Sequence, residues 1–208
     1  MSKGFIRQSS SHFAAPVLFA KKPEGGLQLC IDYRDINSKT IYNRYPLPLI
    51  KEMFNLLGKA RIYTKLDVTG AYNLLRDKEG DEHKLAFGTR YGLYEPTVMQ
   101  FGTTNAPADF QGYINNAVRE ALHDFASAYL DDVLIYSDYE EEHVGHVKWI
   151  RQRLLEAGLY LKPEKCEFHK GTVRYLGLII STKGISMDQD KVETVQNWSR
   201  EKKMENGL

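Results

Sequence analysis

Two apolar segments near the start of the chain have the pattern of a β-hairpin. Residues 17–20 are apolar, residues 27–32 alternate between apolar and polar, and the stretch between them contains proline and glycine. Alternation with a period of two is typical of a strand, and proline and glycine supply the backbone angles of a turn. The pattern therefore predicts a hairpin, and adjacent lysines give it a cationic tip.

Apolar residues spaced three and four positions apart predict several helices further along the chain. The first predicted helix begins at Leu49 and ends before Gly58, and the second runs from Phe110 to Ala121 behind a cap at Asn105. The third follows the capping-box pair Asp138 and Glu141 and ends before Gly158, and the fourth starts after Asp188 and includes Trp198. Asn and Asp side chains accept hydrogen bonds from the first free N–H groups of a helix, and glycine favours the position after its end.

Strands are predicted between these helices. Apolar runs at residues 62–68 and 173–180 each indicate a strand, the second one turned by Lys183-Gly184. The runs 125–130 and 133–136 indicate a hairpin with Asp131 and Asp132 at its turn. Hairpins between irregularly placed helices favour an α+β fold, with an antiparallel sheet backed by helices, over a doubly wound fold.

The composition is that of an ordinary folded domain. Of the 208 residues, 42% are hydrophobic and 26% are charged, so a sizeable core is expected and wholesale disorder is not. No apolar run approaches the roughly 18 residues of a membrane span, and the first residues lack a secretory pattern, so no membrane partner is expected. The two cysteines lie far apart, which indicates a reducing, intracellular compartment.

The charge is unevenly distributed. The net charge is +1, but residues 1–65 hold 11 Lys and Arg against 4 Asp and Glu, a net +7, and the remainder carries −6. A basic N-terminal part beside an acidic body could bind a polyanion with one part and use carboxylates in the other. Simple solvated faces are an equally good explanation of the charge alone.

Three carboxylates are the candidate chemistry. Asp131 and Asp132 interrupt an apolar stretch, and Asp67 follows a predicted strand. Clustered carboxylates repel one another, so the arrangement makes sense mainly if divalent cations neutralise it, and hard oxygen ligands favour Mg²⁺ or Mn²⁺. Two such ions would indicate phosphoryl transfer. On spacing alone, ordinary turn chemistry is the more frequent reason for an Asp-Asp pair.

Three longer motifs carry a family resemblance. They are Tyr129-Leu130-Asp131-Asp132, the segment from Leu66 to Arg76, and the segment from Phe101 to Gln111. In this order they resemble the reverse transcriptase of gypsy-type long-terminal-repeat retrotransposons. The likeness extends from about Val17 to Trp198, through the segments Leu29 to Asn37, Leu161 to Cys166 and Tyr175 to Gly177.

The resemblance implies a right-hand polymerase with fingers and palm and with the thumb largely missing. Residues 1–65 correspond to the first part of the fingers, 66–82 to the first catalytic strand of the palm, 83–100 to the return into the fingers, 101–184 to the palm with a primer-grip hairpin, and 185–208 to the start of a truncated thumb. The function implied is RNA-directed DNA polymerase, which transfers a deoxynucleotide to a primer 3′-hydroxyl.

The resemblance also assigns roles to single residues. Asp67, Asp131 and Asp132 are the expected catalytic carboxylates, and they hold two Mg²⁺ or Mn²⁺ ions with the help of the Val68 carbonyl.

The expected deoxynucleotide contacts are Lys22, Tyr72, Phe101, Gly102 and Lys165. Tyr72 has the position of a ring that blocks a ribose 2′-hydroxyl, although an aromatic residue packed beneath the palm is a fair alternative. Lys165 corresponds to a lysine that protonates pyrophosphate. Tyr175, Leu176 and Gly177 correspond to the primer grip.

The implied partners are an RNA or DNA template with its primer and deoxynucleoside triphosphates. RNase H and integrase parts of a polyprotein are expected but lie outside this sequence. The implied location is a cytoplasmic particle and, later, the nucleus.

Three other interpretations stay open at the level of sequence. Gln28 and Gly88 stand where the family usually has arginine, which favours an inactive relic that at most binds nucleic acid. A template-independent two-metal phosphotransferase would need no basic fingers. His143-x-x-His146 with Cys166-x-x-His169 has the spacing of a structural zinc site.

Overall fold

The computed structural model describes residues 4–21, 25–48, 57 and 60–196. Most of the predicted helix that begins at Leu49 lies outside the described residues, as do Lys22 and Trp198. Among the described residues, no helix is both long enough and apolar enough to cross a membrane.

Strands and helices alternate irregularly along the described chain. The strands are β1 (Ile6–Gln8), β2 (Val17–Lys21), β3 (Leu27–Ile31), β4 (Ile62–Asp67), β5 (Phe87–Thr89), β6 (Gly92–Pro96), β7 (Ala126–Tyr129), β8 (Asp132–Ser137), β9 (Glu167–Lys170), β10 (Thr172–Tyr175), β11 (Leu178–Ser181) and β12 (Gly184–Met187). The α-helices are α1 (Arg34–Lys39), α2 (Ala106–Ala117), α3 (Glu140–Glu156) and α4 (Gln189–Gln196). Short 3₁₀ helices cover Ala71–Leu74, Glu82–Leu85, Arg119–Ala121 and Pro163–Lys165.

The chain forms two compact units. The first follows the ranges Met1–Leu47, Val68–Ala117 and Leu154–Tyr160, and the second follows Pro48–Asp67, Val118–Arg153 and Leu161–Leu208. The first unit contains the antiparallel hairpin β2–β3 and a sheet of order β1-β6-β5. The second contains a sheet of order β7-β8-β4-β9 and a smaller sheet of order β10-β11-β12. The assignment of residue ranges to fingers, palm and thumb stays a prediction.

One face of the four-stranded sheet packs against the smaller sheet. In the antiparallel pairing of β4 with β8, Tyr63 lies opposite Tyr136 and Lys65 lies opposite Leu134, so these side chains share a face. Tyr63, Leu134 and Tyr136 form a buried cluster with side chains of β10 and β11. Burial of this apolar face holds the two sheets of the second unit together.

The opposite face of the same sheet lies against α3. Thr64 is buried there, and its Oγ1 lies 2.7 Å from Nε2 of the fully buried His143. Nδ1 of His143 lies 2.9 Å from Ser137 Oγ, which also lies 2.8 Å from His146 Nδ1. Hydroxyl groups thus satisfy both ring nitrogens of a buried imidazole.

The predicted α+β class with an antiparallel sheet is confirmed, and so is the hairpin formed by β2 and β3. The strand predicted from residue 62 is β4, and the helix predicted to end before Gly158 is α3, with that glycine at φ 70°. Glycine adopts this left-handed conformation without the steric penalty that a Cβ would bring.

Three local predictions need correction. The helix expected to reach Ala121 ends at Ala117 and is followed by a short 3₁₀ helix, although Ala121 is fully buried. The strand expected over residues 173–180 is two strands, because the chain reverses between Tyr175 and Leu178. Asp132 is the first residue of β8 and not part of the turn.

Candidate active site

Two of the predicted catalytic carboxylates face each other across the central strands of the second unit. β4 ends at Asp67, β8 begins at Asp132, and the register of the antiparallel pair places these two residues directly opposite. Residues in such positions have their Cα atoms about 4.5–5.5 Å apart and their side chains on the same face. Strand pairing therefore brings together Asp67 and Asp132, which are 65 positions apart in the sequence.

The third carboxylate lies in the turn that joins β7 to β8. Tyr129 pairs with Asp132, so the loop consists of Leu130 and Asp131 alone. Leu130 has φ 51°, in the left-handed region that a residue with a Cβ rarely adopts. The surrounding hairpin must hold this strained conformation, and it leaves Asp131 exposed beside the other two carboxylates.

A lysine pairs with each of the two opposed carboxylates. Nζ of Lys65 lies 3.2 Å from Oδ1 of Asp132, and Nζ of Lys165 lies 3.8 Å from Oδ2 of Asp67. The segment that carries Lys165 is fixed to the end of β4, because the Lys162 N–H donates to the Asp67 carbonyl at 2.9 Å. Positive charge from the protein thus lies beside both opposed carboxylates.

Burial raises the pKa of the Asp132 carboxyl. Lys65 opposes that rise by its charge and its hydrogen bond, while the negative charges of Asp131 and Asp67 add to it. Mutual repulsion of this kind is the expected property of neighbouring carboxylates, and a divalent cation would relieve it.

The oxygen atoms of the three aspartates suit a hard divalent cation, although their side chains do not converge on one point. Among the described residues, no group of three or more His, Cys, Asp or Glu side chains is arranged to hold a metal ion. The carboxylates of Asp67, Asp131 and Asp132 are nevertheless the oxygen ligands that Mg²⁺ and Mn²⁺ prefer. Val68, the other predicted ligand, is buried directly after Asp67.

The zinc alternative finds no support in the same residues. Both ring nitrogens of His143 lie within hydrogen-bonding distance of hydroxyl groups, and His146 stacks on Phe125 with ring centroids 3.9 Å apart. The histidine pair is therefore part of the packing between α3 and the sheet.

The predicted primer-grip residues form the turn between β10 and β11. Tyr175 is buried, whereas Leu176 and Gly177 have φ 51° and 77° and close a two-residue hairpin. Positive φ at both central positions is the hairpin geometry that matches the twist of the strands.

A cavity of about 430 Å³ lies between this turn and the strands β4, β7 and β8. The residues lining it are Lys65, Tyr129, Asp132, Arg174, Leu176, Gly177 and Asp188. The predicted primer grip and the carboxylate Asp132 therefore border one space within the second unit.

The first unit holds the predicted sugar-selecting residue in an aromatic cluster. Tyr72 lies in the 3₁₀ helix Ala71–Leu74, with its ring edge-on to Phe101 at 4.7 Å and to Phe110 at 5.7 Å between centroids. Phe110 is fully buried and Phe101 is 56% exposed. Tyr72 is thus anchored on one side by the core of this unit and flanked on the other by a predicted nucleotide contact.

Gly102 has the close backbone approach that its predicted role suggests. It adopts φ 92°, its carbonyl accepts a hydrogen bond from Asn37 Nδ2 at 2.8 Å, and a Cβ at this position would lie 3.7 Å from the Ile31 carbonyl oxygen. The positive φ, more than the space, is what favours glycine here.

Sequence reasoning missed Lys65. The strand period contained a signal, because Lys65 and Asp67 are two residues apart on one strand and must point to the same side. The ion partner of Lys65 could not be identified before the register of β8 was known.

Comparison with known proteins defines the family. The family model described as "Reverse transcriptase (RNA-dependent DNA polymerase)" matches residues 20–180. The chain therefore belongs to the reverse transcriptase family.

Relatives and solved structures agree with this membership. The chain is 42% identical over 202 residues to the Transposon Tf2-3 polyprotein of Schizosaccharomyces pombe, and the alignment covers 97% of this chain and 15% of the polyprotein. It is 41% identical over the same length to the Transposon Tf2-7 polyprotein of that organism. The chain thus spans about 15% of the length of these curated relatives.

The fold is that of viral reverse transcriptases. A foamy viral protease-reverse transcriptase in complex with double-stranded DNA matches with a TM-score of 0.88 and 20% identity, over 95% of this chain and 35% of that chain. The same kind of protein in complex with an RNA/DNA hybrid matches with a TM-score of 0.85 and 19% identity, over 94% and 26%. The predicted fingers-and-palm fold is confirmed.

Proposed function

We propose that this chain is the catalytic part of an RNA-directed DNA polymerase from a gypsy-type retrotransposon. The observation that carries the proposal is the register of β4 on β8. It sets Asp67 opposite Asp132 and leaves Asp131 exposed in the adjoining turn, in a chain of the reverse transcriptase family.

The proposed reaction is attack of a primer 3′-hydroxyl on the α-phosphate of a deoxynucleoside triphosphate, with pyrophosphate as the leaving group. Two divalent cations, Mg²⁺ or Mn²⁺, are the proposed cofactors. When bound, they would lower the pKa of the attacking hydroxyl and neutralise phosphate charge. Asp67 and Asp131 are the proposed principal ligands, with Asp132 beside them.

The remaining groups bind the substrate and move its protons. Lys165, which lies 3.8 Å from Asp67 in the free chain, is the proposed donor of a proton to the departing pyrophosphate. The Tyr72 ring, held by Phe101 and Phe110, is the proposed barrier to a ribose 2′-hydroxyl. The turn of Leu176 and Gly177 is the proposed support for the primer backbone.

A template with its primer is the proposed partner. The foamy viral proteins of the same fold were solved with an RNA/DNA hybrid and with double-stranded DNA. Residues 1–65, which carry a net +7, would contribute the electrostatic part of such binding as proposed fingers. RNase H and integrase parts of a polyprotein are proposed as neighbours of this chain in its natural setting.

Primer extension on poly(rA)/oligo(dT) with Mn²⁺ or Mg²⁺ tests the proposal. We expect template-dependent extension, and a loss of about 100-fold or more in the Asp131→Asn variant, because the amide cannot neutralise the charge of a cation. The matched control is Asp124→Asn, an exposed aspartate of the same unit outside the site.

Each alternative predicts a different result. Extension of oligo(dT) without poly(rA) would indicate a template-independent phosphotransferase. Binding of the primer-template without extension would indicate a relic. Extension that is unchanged in Asp131→Asn would refute the assignment of that carboxylate.

A further inference from the structure

Lys65 lies on the same face of the four-stranded sheet β7-β8-β4-β9 as the opposed carboxylates. Along β4 it precedes Asp67 by two residues, and across the strand pair it is diagonal to Asp132. Diagonal neighbours in an antiparallel pair are within reach of long side chains. Nζ of Lys65 lies 3.2 Å from Oδ1 of Asp132.

This ion pair is more enclosed than its neighbour. The side chains of Lys65 and Asp132 are 20% and 24% exposed. In the pair of Lys165 with Asp67 the aspartate is 16% exposed, but the lysine is 55% exposed and its Nζ lies 3.8 Å away. Water and salt screen a pair less when it is partly buried. Lys65 therefore holds its carboxylate more firmly than Lys165 does.

The surroundings of Lys65 favour its ion pair with Asp132. The cavity beside Lys65 and Asp132 contains a second acid, Asp188, and a second base, Arg174. Nη1 of Arg174 lies 3.5 Å from Oδ2 of Asp188, so the two acids of the cavity have different cations. The cavity thus accommodates two ion pairs and no excess of either charge among these residues.

We propose that Lys65 is a positioning residue, which holds the side chain of Asp132 toward the cavity as the fixed counter-ion of that carboxylate. Asp67 and Asp131 are then the carboxylates that take the divalent cations. This inference rests on the proposed function, since it concerns the cations of that same site. It assigns different roles to the adjacent Asp131 and Asp132, because Lys65 pairs with Asp132.

The consequence can be measured as cation affinity. While Lys65 holds Oδ1 of Asp132, that carboxylate is not open to a cation, so an ion meets two carboxylates and not three. The substitution Lys65→Met keeps the aliphatic stem and removes the charge, so Asp132 becomes free to ligate. We expect Mn²⁺ to bind about tenfold more tightly to this variant.

The experiment is titration of the full chain with Mn²⁺ alone, followed by electron paramagnetic resonance of the free ion. Lys65→Arg keeps the charge and should bind Mn²⁺ within about threefold of the unmodified chain. Lys183→Met is the matched control, because that lysine is exposed in the turn before β12. If Lys65→Met does not fold, Lys65→Gln provides the same measurement.

A second background shows whether Lys65 acts through Asp132. In Asp132→Asn, the change Lys65→Met should tighten Mn²⁺ binding much less than in the unmodified chain, because no carboxylate is released. Equal tightening in both backgrounds would show that Lys65 acts directly on the ions and would overturn the inference. Unchanged or weaker binding in Lys65→Met alone would also overturn it.

The inference and the proposed function can fail separately. Binding of Mn²⁺ needs neither template nor turnover. If Lys65→Met tightens binding as described while the unmodified chain extends no primer, the inference stands and the polymerase proposal falls. If the chain extends primers and Lys65→Met binds Mn²⁺ as before, the inference falls and the polymerase proposal stands.

Discussion

His143 couples the stability of the four-stranded sheet to pH, and the substitution His143→Gln tests that coupling. The imidazole is fully buried, with Thr64 and Ser137 hydroxyls at its two nitrogens. Burial, together with the charges of the nearby His169 and His146, lowers the pKa of His143 from 6.5 to about 4. The folded state therefore binds a proton less readily than the unfolded chain does.

The sign and size of the effect follow from linkage. The His143 pKa is depressed in the folded state, so its contribution to stability is complete above pH 6.5 and is lost as the pH falls toward 4. A shift of this size corresponds to about 3 kcal/mol, and about 2 kcal/mol of it is lost between pH 7.5 and pH 5.

Urea unfolding at pH 7.5 and pH 5, followed by Trp149 fluorescence, measures the effect. Trp149 lies on α3 with its ring 5.8 Å from that of Phe125, so its emission reports on the second unit. His143→Gln should reduce the free energy of unfolding at pH 7.5, since a buried hydrogen-bonded ring is lost. Between pH 7.5 and pH 5, the free energy of unfolding of His143→Gln should fall by about 2 kcal/mol less than that of the unmodified chain.

The comparison between variants is decisive because other groups also titrate. In the first unit, burial raises the pKa of Asp77 to about 6, and the charge of Glu82 adds to the rise. Protonation of Asp77 as the pH falls through 6 stabilises the folded state, which opposes the effect of His143. The exposed His12→Gln is the control. Equal pH dependence in His143→Gln and the unmodified chain would refute the reasoning.

Two further predictions concern substrate selection. Tyr72→Ala removes the ring packed on Phe101 and Phe110, so incorporation of ribonucleotides relative to deoxynucleotides should rise at least about tenfold in primer extension. Tyr72→Phe keeps the ring and should discriminate between the two sugars as the unmodified chain does. Unchanged discrimination in Tyr72→Ala would contradict the proposed role of the ring. Gln28→Arg on β3 adds a guanidinium that can bind phosphate with two hydrogen bonds, so the KM for deoxynucleotides should fall about threefold to tenfold. Gln28→Lys should lower the KM by less. An unchanged KM would show that position 28 does not contact the triphosphate.

Elements with a clear period were predictable, and elements defined by partners were not. The hairpin of β2 and β3 follows from alternation around a glycine-rich turn. The strands β1 and β5 contain three residues each, too few for a period to be recognised. The reversal at Leu176 was missed by the strand pattern, although Gly177 is a turn residue and the family resemblance implied a primer-grip hairpin at this point.

The candidate site was predictable to a similar degree. The three aspartates were identified from motifs, and their association required only that two strands pair. The partners of those aspartates depend on which residues lie diagonally across the sheet, and that information is absent from local sequence. His143 was noticed only for its spacing, although Thr64 and Ser137, buried polar residues on apolar strands, were a sign that something polar lay over them.

The packing of the core and the chemistry of the site depend on the same register. Tyr63, Leu134 and Tyr136 fix β8 on β4 by burying the apolar surface of the face that packs against β10 and β11. A slip of one residue would turn every side chain of β8 to the other face. Asp132 would then leave Lys65 and point toward the helix side of the sheet. The apolar residues of the four-stranded sheet therefore determine which carboxylate lies beside which lysine.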